Sequence, residues 1–337
     1  MDFKHGGDIV EFALRYGYSV EEVIDLSSNI NFIKPNIDID FNQINISSYP
    51  SYMDLVSSIS KNYSLSPNQI ELFNGATVSI CSLFRHLDIK EINLYAPIYL
   101  EYKRCSIQNG YKINYINRLE NLYQEINENS LVVFVNPSTP DGVYYDMDKL
   151  MENWIKKRAT IIVDESFLDF TDFKSVARYI DRYDRVYIIK SMTKFYASAG
   201  IRVGFIASNY KNILNIKQKE PLWKISQFDS QYIQSALRDR DFPIKSKKIN
   251  NLNREKVINI LKNSDLIDEV YPSCVNFVMV RLKNINAKKF QEKFIPYKIM
   301  IRDCYNFDYL NDNFVRIAIK NNKSIDRLKE ALCEIST

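Results

Sequence analysis

Ser191-Met-Thr-Lys194-Phe-Tyr-Ala-Ser-Ala-Gly200-Ile-Arg202-Val-Gly204 is the stretch on which the reading of this chain turns. It sets a lysine beside hydroxyl residues, with an arginine eight positions on and a glycine two positions to either side of that arginine. A lysine that condenses with the aldehyde of pyridoxal phosphate (PLP) needs such company. Hydroxyls and a guanidinium suit the phosphate, and small residues let backbone approach the cofactor. The apolar run Val186-Tyr-Ile-Ile189 just upstream reads as a buried strand. Lys194 then falls past a strand's carboxyl end, where open α/β sheets take ligands. Taken alone, the segment fits a surface lysine in a Ser/Thr-rich loop equally well.

A second element upstream changes that balance. In Thr160-Ile-Ile-Val-Asp164-Glu165-Ser-Phe167-Leu-Asp169-Phe170, a β-prone run leads straight into an acid pair. A buried carboxylate at a strand end can salt-bridge a pyridine nitrogen and keep it protonated. Solvated acids capping a strand, or a magnesium site, are the alternatives. The magnesium option requires a glycine-rich phosphate loop ending in Lys-Ser/Thr, and the sequence has none. Asp164 and Lys194, each at a strand end, form a joint signal for the catalytic pair.

With these residues in view the chain resembles the fold-type I PLP-dependent aminotransferase superfamily, in the branch of histidinol-phosphate aminotransferase and threonine-phosphate decarboxylase. The resemblance runs from His5-Gly6-Gly7-Asp8 to Val315-Arg316-Ile317-Ala318. Several pieces resemble the decarboxylase: the His-Gly-Gly, Leu26-Ser-Ser-Asn29-Ile-Asn31, Asp164–Phe170, Thr193-Lys-Phe-Tyr196 and Ile301-Arg302-Asp303-Cys304-Tyr-Asn-Phe307. The implied fold is α/β, with a large domain built on a mostly parallel seven-stranded sheet plus a smaller α+β domain. Residues 1–40 would form an N-terminal arm and part of the small domain, 41–239 the PLP-binding domain, and 240–337 the C-terminal small domain.

Bulk properties agree. The 337 residues exceed the usual single-core limit of ~250–300, so two domains are expected. A net charge of +4 with no basic block among aromatics argues against nucleic acid. Five scattered cysteines suggest reduced thiols, and two histidines make a metal cluster or a Ser-His-Asp triad a poor fit. No apolar run nears the ~18 residues of a spanning helix, and the N-terminus lacks the core of a secretion signal. These features predict a cytoplasmic enzyme with no metal and no membrane partner.

Along the chain, Ile92–Tyr95, Tyr111–Ile116, Leu131–Val135, Thr160–Val163, Val186–Ile189 and Val203–Ile206 read as short buried strands. Helical patterns fall between most of them, at 77–87, 98–109, 146–157 and 174–183. The alternation predicts a largely parallel sheet with helices on both faces. Beyond Pro221 come amphipathic segments, β segments at Asn276–Arg281 and Phe314–Ile319, and a last helix over 323–335. Of eight glycines, all but Gly17 and Gly110 lie in motifs assigned to the site.

Asn74-Gly75-Ala76-Thr77 opens a helix whose free N–H groups suit a phosphate, although an isolated Asn-Gly also makes a plain turn. The resemblance implies that the Ala76 and Thr77 amides, with Ser191, Thr193 and Arg202, bind the PLP phosphate. It also implies that Tyr99 of Pro97-Ile-Tyr99 stacks on the ring. Tyr49 of Ser48-Tyr49-Pro50 matches a tyrosine that reaches the neighbouring subunit's cofactor, which implies a homodimer. Two departures stand out. In Asn136-Pro-Ser-Thr139-Pro-Asp-Gly142 a threonine replaces the asparagine that bonds the cofactor O3′, and Phe167 replaces a tyrosine often found there. A shorter hydroxyl can still donate, directly or through water.

Substrate anchors follow from the resemblance as well. Arg316 matches the arginine that grips the α-carboxylate, and Arg302 with His5 and Asn29 matches the decarboxylase branch's phosphate anchor. An arginine on an exposed strand face and a histidine in a frayed terminus are the plainer readings. The expected function is a PLP-dependent carboxy-lyase acting on O-phospho-L-threonine or O-phospho-L-serine. The alternative is an aminotransferase that moves an amino group from glutamate to a small phosphorylated ketone or aldehyde. A non-catalytic PLP-binding regulator is a third reading, although no DNA-binding extension accompanies it.

Overall fold

The computed structural model describes residues 6–336 of the chain. Its strands are β1 (Ile24–Asp25), β2 (Ile70–Phe73), β3 (Glu91–Ala96), β4 (Lys112–Asn117), β5 (Leu131–Val135), β6 (Thr160–Asp164), β7 (Val186–Ser191) and β8 (Gly204–Ala207). Then come β9 (Ile267–Val270), β10 (Phe277–Leu282), β11 (Ile299–Met300), β12 (Arg302–Asp303) and β13 (Phe314–Ala318). The helices are α1 (Ile9–Tyr16), α2 (Met53–Tyr63), α3 (Ala76–His86), α4 (Leu100–Gln108), α5 (Met147–Lys156), α6 (Tyr210–Lys217), α7 (Gln227–Arg238), α8 (Phe242–Lys262), α9 (Ala287–Phe294) and α10 (Asn322–Ser336).

Seven strands form the large sheet in the order β2-β8-β7-β6-β5-β3-β4. The five from β7 to β4 run parallel, and β8 is antiparallel to both β7 and β2. Both sheet faces are covered, which is why β5 reads Leu-Val-Val-Phe-Val without a polar break. Its side chains alternate between two cores. Leu131, Val133 and Val135 join Ile80, Leu83 and Tyr102 on one face, while Val132 and Phe134 join Leu150, Met151 and Trp154 on the other.

A second, antiparallel sheet of order β12-β13-β10-β9 packs on a separate apolar cluster that includes Val257, Leu261, Phe290 and Leu328. The N-terminal strand β1 pairs in parallel with β11, which ties residues 24–25 to the C-terminal part of the chain. Helix α8 touches both halves: Phe242 lies in the core of the large sheet, and Val257 and Leu261 in that of the second.

The structure adds one strand and corrects two helices. The strand β2 went unseen, being four residues at a sheet edge beside an antiparallel neighbour. The helix expected at 174–183 is a single 3-10 turn, Val176–Tyr179, because Ser175 caps it and also bonds the buried Glu165. The helix expected at 98–109 starts at Leu100, since Tyr99 keeps an extended ψ of 125°. Among the described residues no helix is long and apolar enough to cross a membrane.

Candidate active site

Strands β6 and β7 are parallel neighbours with Asp164 opposite Ile189, so both deliver their last residues to the same edge. Beyond Ser191 the chain turns back, and Ala197 takes a left-handed φ of 53°. Asn31 pins this turn: its N–H donates to the Lys194 carbonyl at 3.0 Å, and its amide Nδ2 donates to Phe195 O at 2.8 Å and Ser246 Oγ at 2.7 Å. Lys194 and Asp164 thereby face one cavity of about 300 Å3.

Asp164 is buried and accepts from Tyr102 Oη at 2.7 Å and from the Ser166 N–H at 2.8 Å. Burial pushes its pKa up, and the bonds from Ser166 and Tyr102 together with the Lys194 charge oppose that push. Burial brings Lys194 down to about 8, helped by repulsion from Arg202 and Arg316 and opposed by Asp164. A buried amine that gives up its proton this readily is equipped for nucleophilic and proton-transfer work.

At the far end lies the start of α3, where Gly75 is the N-cap at φ 80° and no side chain caps the first amides. Gly204 is packed against that turn, and a Cβ there would sit 2.6 Å from Ala76 N and 2.8 Å from Gly75 C. Gly75 in turn lies against the Arg202 guanidinium. Ser191 Oγ and Thr193 Oγ1 share a 2.8 Å hydrogen bond on the same wall, and Thr77 hydrogen-bonds Tyr99. Helix N–H groups, two hydroxyls and an arginine thus surround one corner of the cavity.

Arg316 and Arg302 are direct cross-strand partners on β13 and β12. Both are buried and line the cavity. Arg316 donates to Thr139 Oγ1 at 3.0 Å and to Ser27 O at 2.9 Å, while its Nε has no hydrogen-bond partner. Arg302 donates to Asn306 Oδ1 at 2.7 Å and lies over the Phe307 ring. Asn29 is buried here with its Oδ1 unpartnered. The loop that carries Thr139 is held by a fully buried pair: Arg118 donates to Asp141 Oδ1 at 3.2 Å and to Thr139 O at 3.1 Å. Thr139 therefore accepts from Arg316 through an oxygen whose own proton is left to donate.

Of the residues singled out from the sequence, Ala76, Thr77, Tyr99, Thr139, Asp164, Phe167, Ser191, Thr193, Lys194, Arg202, Asn29, Arg302 and Arg316 line this one cavity. Gly75 borders it as the cap of α3. Tyr49 is 75% exposed and stacks on Trp223 outside the cavity. His5 lies outside the described residues. Sequence reasoning missed Tyr102, the phenol that bonds Asp164, and Ser166, whose amide does the same. Gly6, Ser28 and Phe307, which lie within the motifs singled out from the sequence, also line the cavity. No local motif marked Tyr102, which lies 62 residues from Asp164 along the chain.

Comparison with known proteins gives a consistent result. A sequence model of the family described as aminotransferase class I and II matches residues 30–333. The adenosylcobalamin biosynthesis bifunctional protein CobDQ of Leptospira interrogans is 26% identical over 98% of this chain, which spans only 41% of that protein. The threonine-phosphate decarboxylase of Salmonella typhimurium is 23% identical over 99% of this chain and 96% of its own. Among solved structures, the histidinol-phosphate aminotransferase of Clostridium acetobutylicum superimposes with a TM-score of 0.82 at 29% identity, covering 93% of this chain and 99% of that one.

Proposed function

The chain belongs to the aminotransferase class I and II family, whose members depend on PLP, and on that premise we propose a decarboxylase of a small O-phospho-L-amino acid. The residues present fit the cofactor. A depressed lysine amine shares the cavity with a buried carboxylate, and the uncapped start of α3 lies in a corner where Gly204 leaves no room for a Cβ. On this reading the amides of Ala76 and Thr77, with Ser191, Thr193 and Arg202, hold the phosphate. Lys194 would hold the aldehyde end, Asp164 would pair with the ring nitrogen, and Tyr99, Phe167 and Thr139 would line the space for the ring.

PLP supplies an electron sink for the bond broken at the substrate's Cα. The protein does the rest. Asp164, which accepts hydrogen bonds from Tyr102 and Ser166, would pair with the ring nitrogen and favour its protonated form. Lys194 delivers or removes the proton at Cα. Arg316 grips the substrate carboxylate, and Arg302 with Asn29 and His5 grips its phosphate. The observation that carries the reading is this pair of arginines, opposite one another on β12 and β13 and both open to the Lys194 cavity. Two anion grips beyond the cofactor's own cradle suit a substrate with a carboxylate and a phosphate a short distance apart.

The second reading, an aminotransferase acting on a small phosphorylated ketone or aldehyde with glutamate as donor, is favoured by the 29% identity to the Clostridium enzyme. Incubating the PLP-loaded protein separately with O-phospho-L-threonine, O-phospho-L-serine and L-glutamate separates the two. CO2 release with an unchanged final cofactor spectrum supports the decarboxylase. Conversion of the cofactor to its amine form by glutamate supports the aminotransferase. No change with any of the three removes both. The working unit is a cytoplasmic homodimer joined through the exposed Tyr49–Trp223 stack and its neighbours Ile46, Met53 and Leu222. Each chain divides into an arm at 1–40, a PLP-binding domain at 41–239 and a small domain at 240–337.

A further inference from the structure

Behind the cavity, Cys81 of α3 and Cys105 of α4 bring their sulfur atoms to 2.8 Å. Among the described residues no other two cysteines are hydrogen-bonded to each other. Cys274 donates to the Gly142 carbonyl at 3.2 Å, Cys304 is buried beside the Arg302 carbonyl, and Cys333 is exposed near the C-terminus. We propose that Cys81 and Cys105 form a reversible disulfide under oxidation by hydroperoxides, and that this bond changes the affinity of the site for PLP.

The geometry supports each half. A disulfide needs its sulfurs at ~2.05 Å, so closing the gap takes less than one ångström of motion. Cys81 is the half-exposed partner and Cys105 the buried one, so a small oxidant meets Cys81 first. The hydrogen bond from Cys105 lowers the Cys81 thiol to about 7, with Arg85 and Arg104 helping and burial and Glu101 opposing. The Cys81 thiolate attacks the terminal peroxide oxygen and the O–O bond breaks, leaving a sulfenic acid on Cys81. The departing oxygen takes up the proton shed by the thiol and leaves as water from hydrogen peroxide or as an alcohol from an organic hydroperoxide. The Cys105 sulfur then displaces the sulfenic hydroxyl as water. Two thiols are oxidised by two electrons and the hydroperoxide is reduced; a dithiol reductant reverses the bond by exchange.

The two helices so joined are those that build the cofactor site. Helix α3 opens with the Ala76 and Thr77 amides one turn before Cys81. Helix α4 carries Tyr102, three residues before Cys105, and Tyr102 holds Asp164. A covalent tie between them alters the spacing of the phosphate cradle and the acid together.

The test uses the full-length holoprotein treated with hydrogen peroxide, then mapped by peptide mass spectrometry without reduction. The expected result is a cross-linked pair of peptides carrying Cys81 and Cys105, a fall from five titratable thiols to three, and full recovery with dithiothreitol. Coupling of ordinary size would shift the PLP dissociation constant about fivefold or more between the two forms. Cys81→Ser and, as a second variant, Cys105→Ala must abolish both the cross-link and the shift. Over-oxidation of Cys81 without a cross-link, or a cross-link through another cysteine, overturns the disulfide. A Cys81–Cys105 bond with unchanged PLP affinity overturns the coupling. Neither outcome depends on which substrate the enzyme takes.

Discussion

The Lys194 amine is held at about 8 against an ordinary value of 10.5, and burial is the main cause. The unfolded chain therefore carries a proton there that the folded, cofactor-free protein sheds between those two values. The burden on stability is full below about pH 8 and fades as pH rises towards 10.5. Lys194→Met should stabilise the PLP-free protein by on the order of 2–3 kcal/mol at pH 7 and far less at pH 10.5, while abolishing turnover. Urea denaturation at the two pH values checks this, and equal gains would refute it. Tyr102→Phe strips a donor from buried Asp164 and should cost about 1.5–3 kcal/mol in thermal unfolding, with weaker PLP binding. Arg302→Ala should raise KM for phosphorylated substrates about 10–100-fold and leave PLP affinity alone. Unchanged KM would remove the arginine from its assigned part. The lysine and the acid were legible because each sits in a short local motif whose residue types announce the chemistry, whereas the arginines were singled out only through the resemblance. Tyr102 was not, because its bond to Asp164 spans 62 residues of chain and depends on how α4 packs over the sheet.

Gly204 shows how an element can be placed by the lack of a side chain. It lets β8 lie against the first turn of α3, with Ala76 N where a Cβ would otherwise be. Gly204→Ala should push that turn away and weaken PLP at least about tenfold, the loss of one charge-assisted hydrogen bond, while pyridoxal without its phosphate binds as before. Fluorescence titration with both ligands distinguishes this from general misfolding, which would impair both. The parallel strands β5, β6 and β7 could be read from their unbroken apolar runs. The direction of β8 could not, because a short buried run looks the same whichever way it pairs. Nor could the turn at Val176–Tyr179, whose shape depends on Ser175 reaching a carboxylate ten residues back in the chain.

At the scale of the whole molecule, the proposed homodimer rests on the exposed side chains of Tyr49, Trp223 and Leu222. Light scattering should give about twice 39.6 kDa, and Trp223→Asp should halve that mass. A monomeric parent protein would defeat the assembly. The neighbouring guanidinium groups of Arg302 and Arg316 have a practical consequence. Burial, with some repulsion from Arg302, brings Arg316 down to about 10, and an anion seated between the two guanidinium groups would offset both effects. Sulfate in the crystallisation drop, or phosphate in the assay buffer, should lodge there, raise the melting temperature in a dose-dependent way, and make an active preparation look sluggish. Zwitterionic buffers are the setting in which its true speed can be read.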